Sequence, residues 1–160
     1  MFTRVESVGN NEIEMFGDFS PWCDPTVIEV NRLPMRPPLV ISDSLEASRA
    51  RRSLRRVQLD GQWRFKLFER PSEVGEADLR GRSSSLGKSW KSIHIPGNWT
   101  MQDVGDLPHY TNIEMPFDGP PPKVPSDNPT GIYRRSFSVP VSWKQRQVVL
   151  HIGAADSVHV

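Results

Sequence analysis

Val57-Gln58-Leu59-Asp60-Gly61-Gln62-Trp63-Arg64-Phe65-Lys66-Leu67-Phe68 carries the strongest β signal in the chain. Trp63, Phe65 and Leu67 alternate with Gln62, Arg64 and Lys66. That is the period-two pattern of a strand with one buried face. Asp60-Gly61 is a turn dipeptide that sets where the strand begins.

The same period recurs downstream. Trp90-Lys91-Ser92-Ile93-His94-Ile95 alternates and predicts a second strand, which Pro96-Gly97-Asn98 ends in a tight turn that delivers Trp99. Ile132 to Val139 predicts a third, with Tyr133, Arg135, Phe137 and Val139 on one face. Pro140-Val141-Ser142-Trp143 is a turn before a fourth strand, Val148 to Ile152. Between the first two strands, Glu69 to Lys88 is rich in Ser, Gly, Arg and Glu and reads as a surface loop. Upstream, Ser42-Asp43-Ser44-Leu45-Glu46 supplies an N-cap and first-turn acids for a short helix over about 44–52. Short strands, long polar loops and little helix predict an all-β sandwich.

Residues 1 to about 30 show no sustained periodicity, and Asn31-Arg32-Leu33-Pro34-Met35-Arg36-Pro37-Pro38 reads as an extended linker. The expected division is an extended N-terminal arm over 1–38 and a sandwich domain over 39–160. Ser157-Val158-His159-Val160 begins a further apolar β run. An unpaired, unfinished strand is an aggregation template, so the sandwich reads as incomplete at its C-terminus and the chain as part of a longer protein.

At 160 residues the chain has room for one domain and a tail. Its 20 Lys and Arg stand against 19 Asp and Glu, for a net charge of +1, which argues against a general polyanion binder. Arg49, Arg51, Arg52, Arg55 and Arg56 form one dense basic cluster without aromatic interleaving. It reads as a solvated face or a subunit contact rather than a nucleic-acid footprint. The single cysteine, Cys23, forms no internal disulfide and points to a reducing compartment. No apolar run approaches the roughly 20 residues that span a bilayer. The N-terminus lacks the regions of a signal peptide. Together these read as a cytoplasmic protein with neither a nucleic-acid nor a membrane partner.

Seven of the 15 prolines fall between Pro108 and Pro129. Proline fixes its own φ and removes a donor, so this stretch predicts a stiff irregular loop. Long ordered loops in compact domains are usually functional; a structural crossover between sheets fits the residues as well.

Four motifs in order resemble one family. Leu59-Asp60-Gly61-Gln62-Trp63-Arg64-Phe65 resembles the opening strand of the sugar-binding domain of glycoside hydrolase family 2, and His94-Ile95-Pro96-Gly97-Asn98-Trp99 its next signature. Tyr110-Thr111-Asn112 and Pro125-Ser126-Asp127-Asn128-Pro129-Thr130-Gly131-Ile132-Tyr133 resemble the subgroup of large bacterial β-galactosidases, as does Asn31-Arg32-Leu33 with Pro37-Pro38. The resemblance covers about residues 20–160. It implies a jelly-roll, galactose-binding-like sandwich, followed in the whole enzyme by immunoglobulin-like domains and a (β/α) barrel that carries the catalytic carboxylates. It implies retaining hydrolysis of β-galactosides, with no catalytic residue on this chain and no activity from the fragment alone. A stand-alone carbohydrate-binding module, and another family 2 glycosidase of β-glucuronidase or β-mannosidase type, are the alternatives.

The resemblance also implies roles for single residues. Asn112 reaches into the barrel's active site, where its carboxamide offers donor and acceptor to the galactosyl hydroxyls; its other reading is a turn residue closing its own backbone. Tyr110 shapes the pocket or packs beside it. Asp24, in Trp22-Cys23-Asp24-Pro25, matches a segment that helps bind Mg2+, although Pro21 stands where an acidic ligand belongs. The whole enzyme is expected to use Mg2+ and Na+, to join this segment to its remaining domains, and to form a homo-oligomer, a tetramer, bridged by the N-terminal arm. His94, His109, His151 and His159 have no metal-ligand spacing. Glu114 and Asp118 read as surface charges.

Overall fold

The structure is a computed structural model that describes residues 2–5, 24–30, 32–35, 37, 40–80, 87–108, 119–120 and 123–155. In chain order its elements are β1 (Phe2–Val5), β2 (Arg32–Leu33), α1 (Leu45–Arg49), β3 (Gly61–Phe68), α2 (Glu76–Arg80), β4 (Lys91–Ile95), β5 (Thr130–Arg134) and β6 (Val148–His151). Short 3₁₀ turns cover Pro71–Glu73, Trp99–Met101 and Val141–Trp143. The class is all-β, with two three-stranded antiparallel sheets among the described residues.

The chain divides into two compact units. One contains the sheet β2-β1-β6 and helix α1. Phe2 to Val5 pair with His151 to Val148, and Phe2 and Thr3 also pair with Leu33 and Arg32. The N-terminal stretch that shows no periodicity therefore supplies the central strand of a sheet, and two residues of the expected linker form its edge. Strands of four and two residues are too short to display a period.

Helix α1 starts where its sequence predicts. Ser44 is extended, at φ −152°, and its Oγ accepts a hydrogen bond from the Ala47 amide at 3.0 Å. The helix ends after five residues, earlier than expected, in a paired closure. The Arg51 amide donates to the Ser48 carbonyl and the Arg52 amide to the Ala47 carbonyl. This is a Schellman closure, which places its C′ residue in the left-handed region. Here that residue is Arg51, at φ +53°, in a place glycine usually takes.

The other unit holds the sheet β4-β3-β5, with β3 central. Gly61 takes φ +115° at the strand's start, the turn conformation that Asp60-Gly61 predicts. Phe65 is fully buried and Ile93 nearly so; with Val104 they form a core flanked by Trp63, Leu67 and Trp99. Phe65 pairs with Tyr133 across β3–β5, and their rings meet edge-on with centroids 4.9 Å apart. Trp99 lies 5.6 Å from Phe65 and 6.2 Å from Tyr133. Gly131 makes this closure possible. A Cβ there would fall 2.5 Å from Phe65 Cε2 and 2.6 Å from Trp99 Cζ3, well inside contact distance.

The second face of this sheet is covered as well, so the simple alternation along β3 fails. Phe68 and Trp90 are buried, and Arg64 and Lys66 are half-buried. The cover is α2, inside the stretch read as a surface loop. Lys66 Nζ donates to Asp78 Oδ1 at 2.7 Å and lies 4.5 Å over the Phe68 ring. Arg134 Nη2 donates to the Asp78 and Leu79 carbonyls at 2.6 and 2.7 Å, and its guanidinium stacks 5.3 Å over Trp90. Arg64 donates to the Trp90 carbonyl. Basic side chains from β3 and β5 thus hold a five-residue helix that its own sequence would not sustain.

The third strand is shorter than predicted and begins earlier. It ends at Arg134 because Arg135 turns to donate to the Leu59 and Asp60 carbonyls, both at 2.8 Å, with its guanidinium 6.0 Å from the Trp63 ring. Phe137 and Val139 lie beyond the strand and are exposed. The expected strand near Ser157 lies outside the described residues. No helix among the described residues is long and apolar enough to cross a membrane.

Gly131→Ala is expected to lower stability by about 1–3 kcal/mol, the usual cost of overpacking a tight core. A thermal melt checks it, and an unchanged midpoint would refute the close-approach argument. The Lys66 hydrogen bond holds the Asp78 carboxyl below its ordinary pKa of 3.8. The folded chain therefore binds this proton less readily than the unfolded chain does. Its contribution is complete above the ordinary value and disappears as pH falls through the folded one. Asp78→Asn should cost about 1 kcal/mol at neutral pH, and urea titrations should show the gap closing below that range.

Candidate functional site

The sugar-contact candidates Asn112 and Tyr110, with His109, Glu114 and Asp118, lie outside the described residues. What the structure shows is how the loop that carries them is anchored. Its entry runs from Trp99 to Pro108, and its exit from Lys123 to Thr130.

The entry is fixed by side chains that replace missing backbone partners. Among the described residues β4 is an edge strand. Gln102 satisfies that edge: its Oε1 accepts from the His94 amide at 2.7 Å and its Nε2 donates to the His94 carbonyl at 3.0 Å. The same Nε2 donates to the Asn98 carbonyl at 3.3 Å. Gly97 leaves room for this clamp, since a Cβ there would sit 2.8 Å from Gln102 Nε2. The Ile95–Pro96 bond is cis. Asp103 takes φ +53° and Gly105 φ +112°, which turn the chain back toward the sheet.

Trp99 then links core to loop. Its ring packs on Phe65, and its Nε1 donates to Asp106 Oδ2 at 2.7 Å. The other oxygen, Oδ1, accepts from the Leu107 amide at 3.0 Å. One carboxylate therefore pins the chain to the core three residues before His109. Thr100, Met101, Asp103 and Gly105 to Pro108 line an open depression at this point.

The exit is tied to the end of β3. The Asn128 amide donates to the Glu69 carbonyl at 3.0 Å, and Arg70 Nη2 donates to Asp127 Oδ1 at 3.2 Å. Thr130 Oγ1 donates to the Asn128 carbonyl at 2.9 Å as the chain enters β5. Burial raises the Tyr133 phenol above its ordinary pKa of 10.0, so it stays protonated at neutral pH.

Of the segment expected to help bind Mg2+, the structure describes Asp24. Asp24 is exposed, and its Oδ1 already accepts from the Thr26 amide at 2.8 Å and the Thr26 hydroxyl at 2.7 Å. Those two bonds, the hydroxyl's first, hold its carboxyl below the ordinary value. No group of three or more His, Cys, Asp or Glu that could hold a metal is present among the described residues.

The comparisons with known proteins agree with the motifs. Residues 56–160 match the family model described as glycosyl hydrolases family 2, sugar binding domain. The chain belongs to this family. It is similar to the β-galactosidase of Pseudoalteromonas haloplanktis, 37% identical over 87% of this chain and 14% of that protein. It is 42% identical to the β-galactosidase of Aeromonas hydrophila over 76% of this chain and 12% of that protein. It is 41% identical to the β-galactosidase of Psychromonas ingrahamii over 64% of this chain and 10% of that protein. The chain thus spans a small share of the relatives it matches.

The family match begins just ahead of β3 and includes β3, β4, β5 and both loop anchors. Sequence reading singled out Trp99 but gave no role to Asp106 or Gln102. Their partners are set by positive-φ turns at Asp103 and Gly105, and of these only the glycine is a turn signal in the sequence.

Asp106→Ala would leave the half-buried Trp99 N–H without its acceptor, at a cost of about 1–3 kcal/mol. Because the pair acts as one unit, Asp106→Ala and Trp99→Phe together should cost less than their sum. Strict additivity in denaturant titrations would show that the contact carries no coupling.

Proposed function

We propose that this chain is the sugar-binding portion of a retaining β-galactosidase, a cytoplasmic enzyme that releases terminal non-reducing β-D-galactose. It lends the active site one side chain, Asn112, and the reacting carboxylates belong to the remainder of the polypeptide. The observation that carries this reading is the name shared by the relatives at 37–42% identity: β-galactosidase.

In retaining hydrolysis one carboxylate attacks the anomeric carbon while a second protonates the leaving oxygen, then activates water. The two stand about 5–5.5 Å apart. Asn112 takes no part in those transfers. Its carboxamide donates to one sugar hydroxyl and accepts from a neighbour. A site built to pair hydroxyls rejects a sugar that inverts or lacks one, because its polar groups are left unpaired. Tyr110 walls the same pocket. The anchors at Asp106 and Asn128 support this role by fixing both ends of the loop before substrate arrives, which lowers the ordering cost of binding.

In the full-length polypeptide, Asn112→Ala should lower kcat/KM for β-galactosides about 100-fold, the lower end of what removing one preorganised hydrogen-bond donor from a transition state costs. A galactoside lacking the contacted hydroxyl should be a poor substrate for the parent enzyme and lose little more in the variant. Unchanged turnover by Asn112→Ala would remove the assigned role. The 160-residue chain alone should show no hydrolysis above buffer.

A further inference from the structure

The turn that opens β3 contains a reactive dipeptide, and one side chain clasps it. In Asp60-Gly61 the second residue has no Cβ to screen its amide nitrogen from the first residue's carboxyl carbon. Attack forms a bond from Gly61 N to Asp60 Cγ. The carboxyl hydroxyl leaves with the amide proton as water, and a five-membered succinimide remains. Water then opens that ring at either carbonyl. One opening restores aspartate. The other routes the main chain through the side chain as isoaspartate, with one more backbone carbon. The sequence consumes no oxidant or reductant, and the water lost in the first step is regained in the second.

In the structure the turn is held against this reaction. Arg135 Nη1 donates to the Leu59 carbonyl and to the Asp60 carbonyl, both at 2.8 Å. A single cationic nitrogen thus ties two successive peptide planes, and the second plane contains the nucleophile, Gly61 N. The guanidinium lies 6.0 Å from the Trp63 ring, and Trp63 Nε1 donates to the same Leu59 carbonyl at 2.7 Å. Gly61, at φ +115°, sits close beneath it, since a Cβ there would fall 3.4 Å from Arg135 Nη1. The attack geometry requires an Asp60 ψ outside the populated α and β wells. The Asp60–Gly61 plane therefore has to turn, which carries the Asp60 carbonyl off the guanidinium. A cation on that carbonyl also acidifies the amide, and this favours attack. Orientation decides, because charge-assisted bonds are the strong ones and an acidified nitrogen that cannot reach Cγ gains nothing.

We propose that Asp60–Gly61 is a site of isoaspartate formation and that Arg135 is the residue that holds it closed. Isomerisation there has a structural cost. The added backbone carbon displaces the Leu59 carbonyl from Arg135 and from Trp63 Nε1, at the start of the strand that carries Phe65. All the partners lie within one compact unit, and the proposal does not depend on the sugar reading.

The test incubates the folded chain at neutral pH and digests aliquots with trypsin. Isoaspartate in the peptide of residues 57–64 elutes as an isomer of unchanged mass that resists endoproteinase Asp-N. The folded parent should form it more slowly than the same chain in urea. Arg135→Met keeps a long stem beside Trp63 and removes the donor. It should form isoaspartate about tenfold faster than the parent, the rise in open turn expected when bonds to a charged donor are lost. Arg135→Lys retains a cationic nitrogen and should fall between the two. Asp118–Gly119, the same dipeptide elsewhere in the sequence, is followed in the same digest and should isomerise equally in parent and variants, which separates opening of the turn from loss of the fold. Equal parent rates with and without urea, an Arg135→Met rate no higher than the parent's, or a rise shared by both dipeptides would overturn the proposal.

Discussion

The structure around the candidate site depends on one contact, the closure of Trp99 and Tyr133 over Phe65. Three rings meet within 6.2 Å of one another, and Gly131 leaves the space they need. Burying a phenylalanine stabilises by roughly 1.5–3 kcal/mol, and each well-placed ring pair adds about 0.5–1.5. Among the described residues few side chains are fully buried, so that contact is a large share of the packing they show. It also fixes the order of three strands, because Phe65 sits on β3, Tyr133 on β5, and Trp99 follows the turn out of β4.

The same tryptophan makes the core and the loop one physical object. Its ring is part of the packing and its N–H is the anchor for Asp106. The loop's far end returns to the sheet through Asn128 and Asp127, at residues that directly follow β3. Around α1, by contrast, polar bonds fix a loop whose apolar side chains stay exposed.

Much of the β architecture was legible in the chain. β3 announced itself because Trp63, Phe65 and Leu67 alternate with polar residues, and α1 because Ser44 is a cap with acids behind it. β6 lay where its apolar run stood. Misses came where distant residues decide local structure. α2 lies in a polar stretch and exists because Lys66 and Arg134 hold it, the latter more than 50 residues away in sequence. That helix covers the sheet's second face, so Phe68 is buried against the expected period. β5 ends early because Arg135 is drawn to the carbonyls of the Leu59–Asp60 turn. β1 is four residues long, and its partner β6 is at the other end of the chain. At the site, the motif ending in Trp99 was visible, while the Asn112 assignment rests on resemblance and lies outside the described residues. The Asp106 and Gln102 contacts were not legible, since they depend on how Asp103 and Gly105 turn the backbone.

The central claim concerns one carboxamide, and the most direct measurement is its position. A crystal structure of the full-length polypeptide with a bound, unhydrolysed β-galactoside would show it. The Asn112 carboxamide should lie within hydrogen-bonding distance of a galactosyl hydroxyl, with the Trp99–Asp106 bond intact. An Asn112 side chain turned back on its own backbone, with the sugar held by other residues, would contradict it.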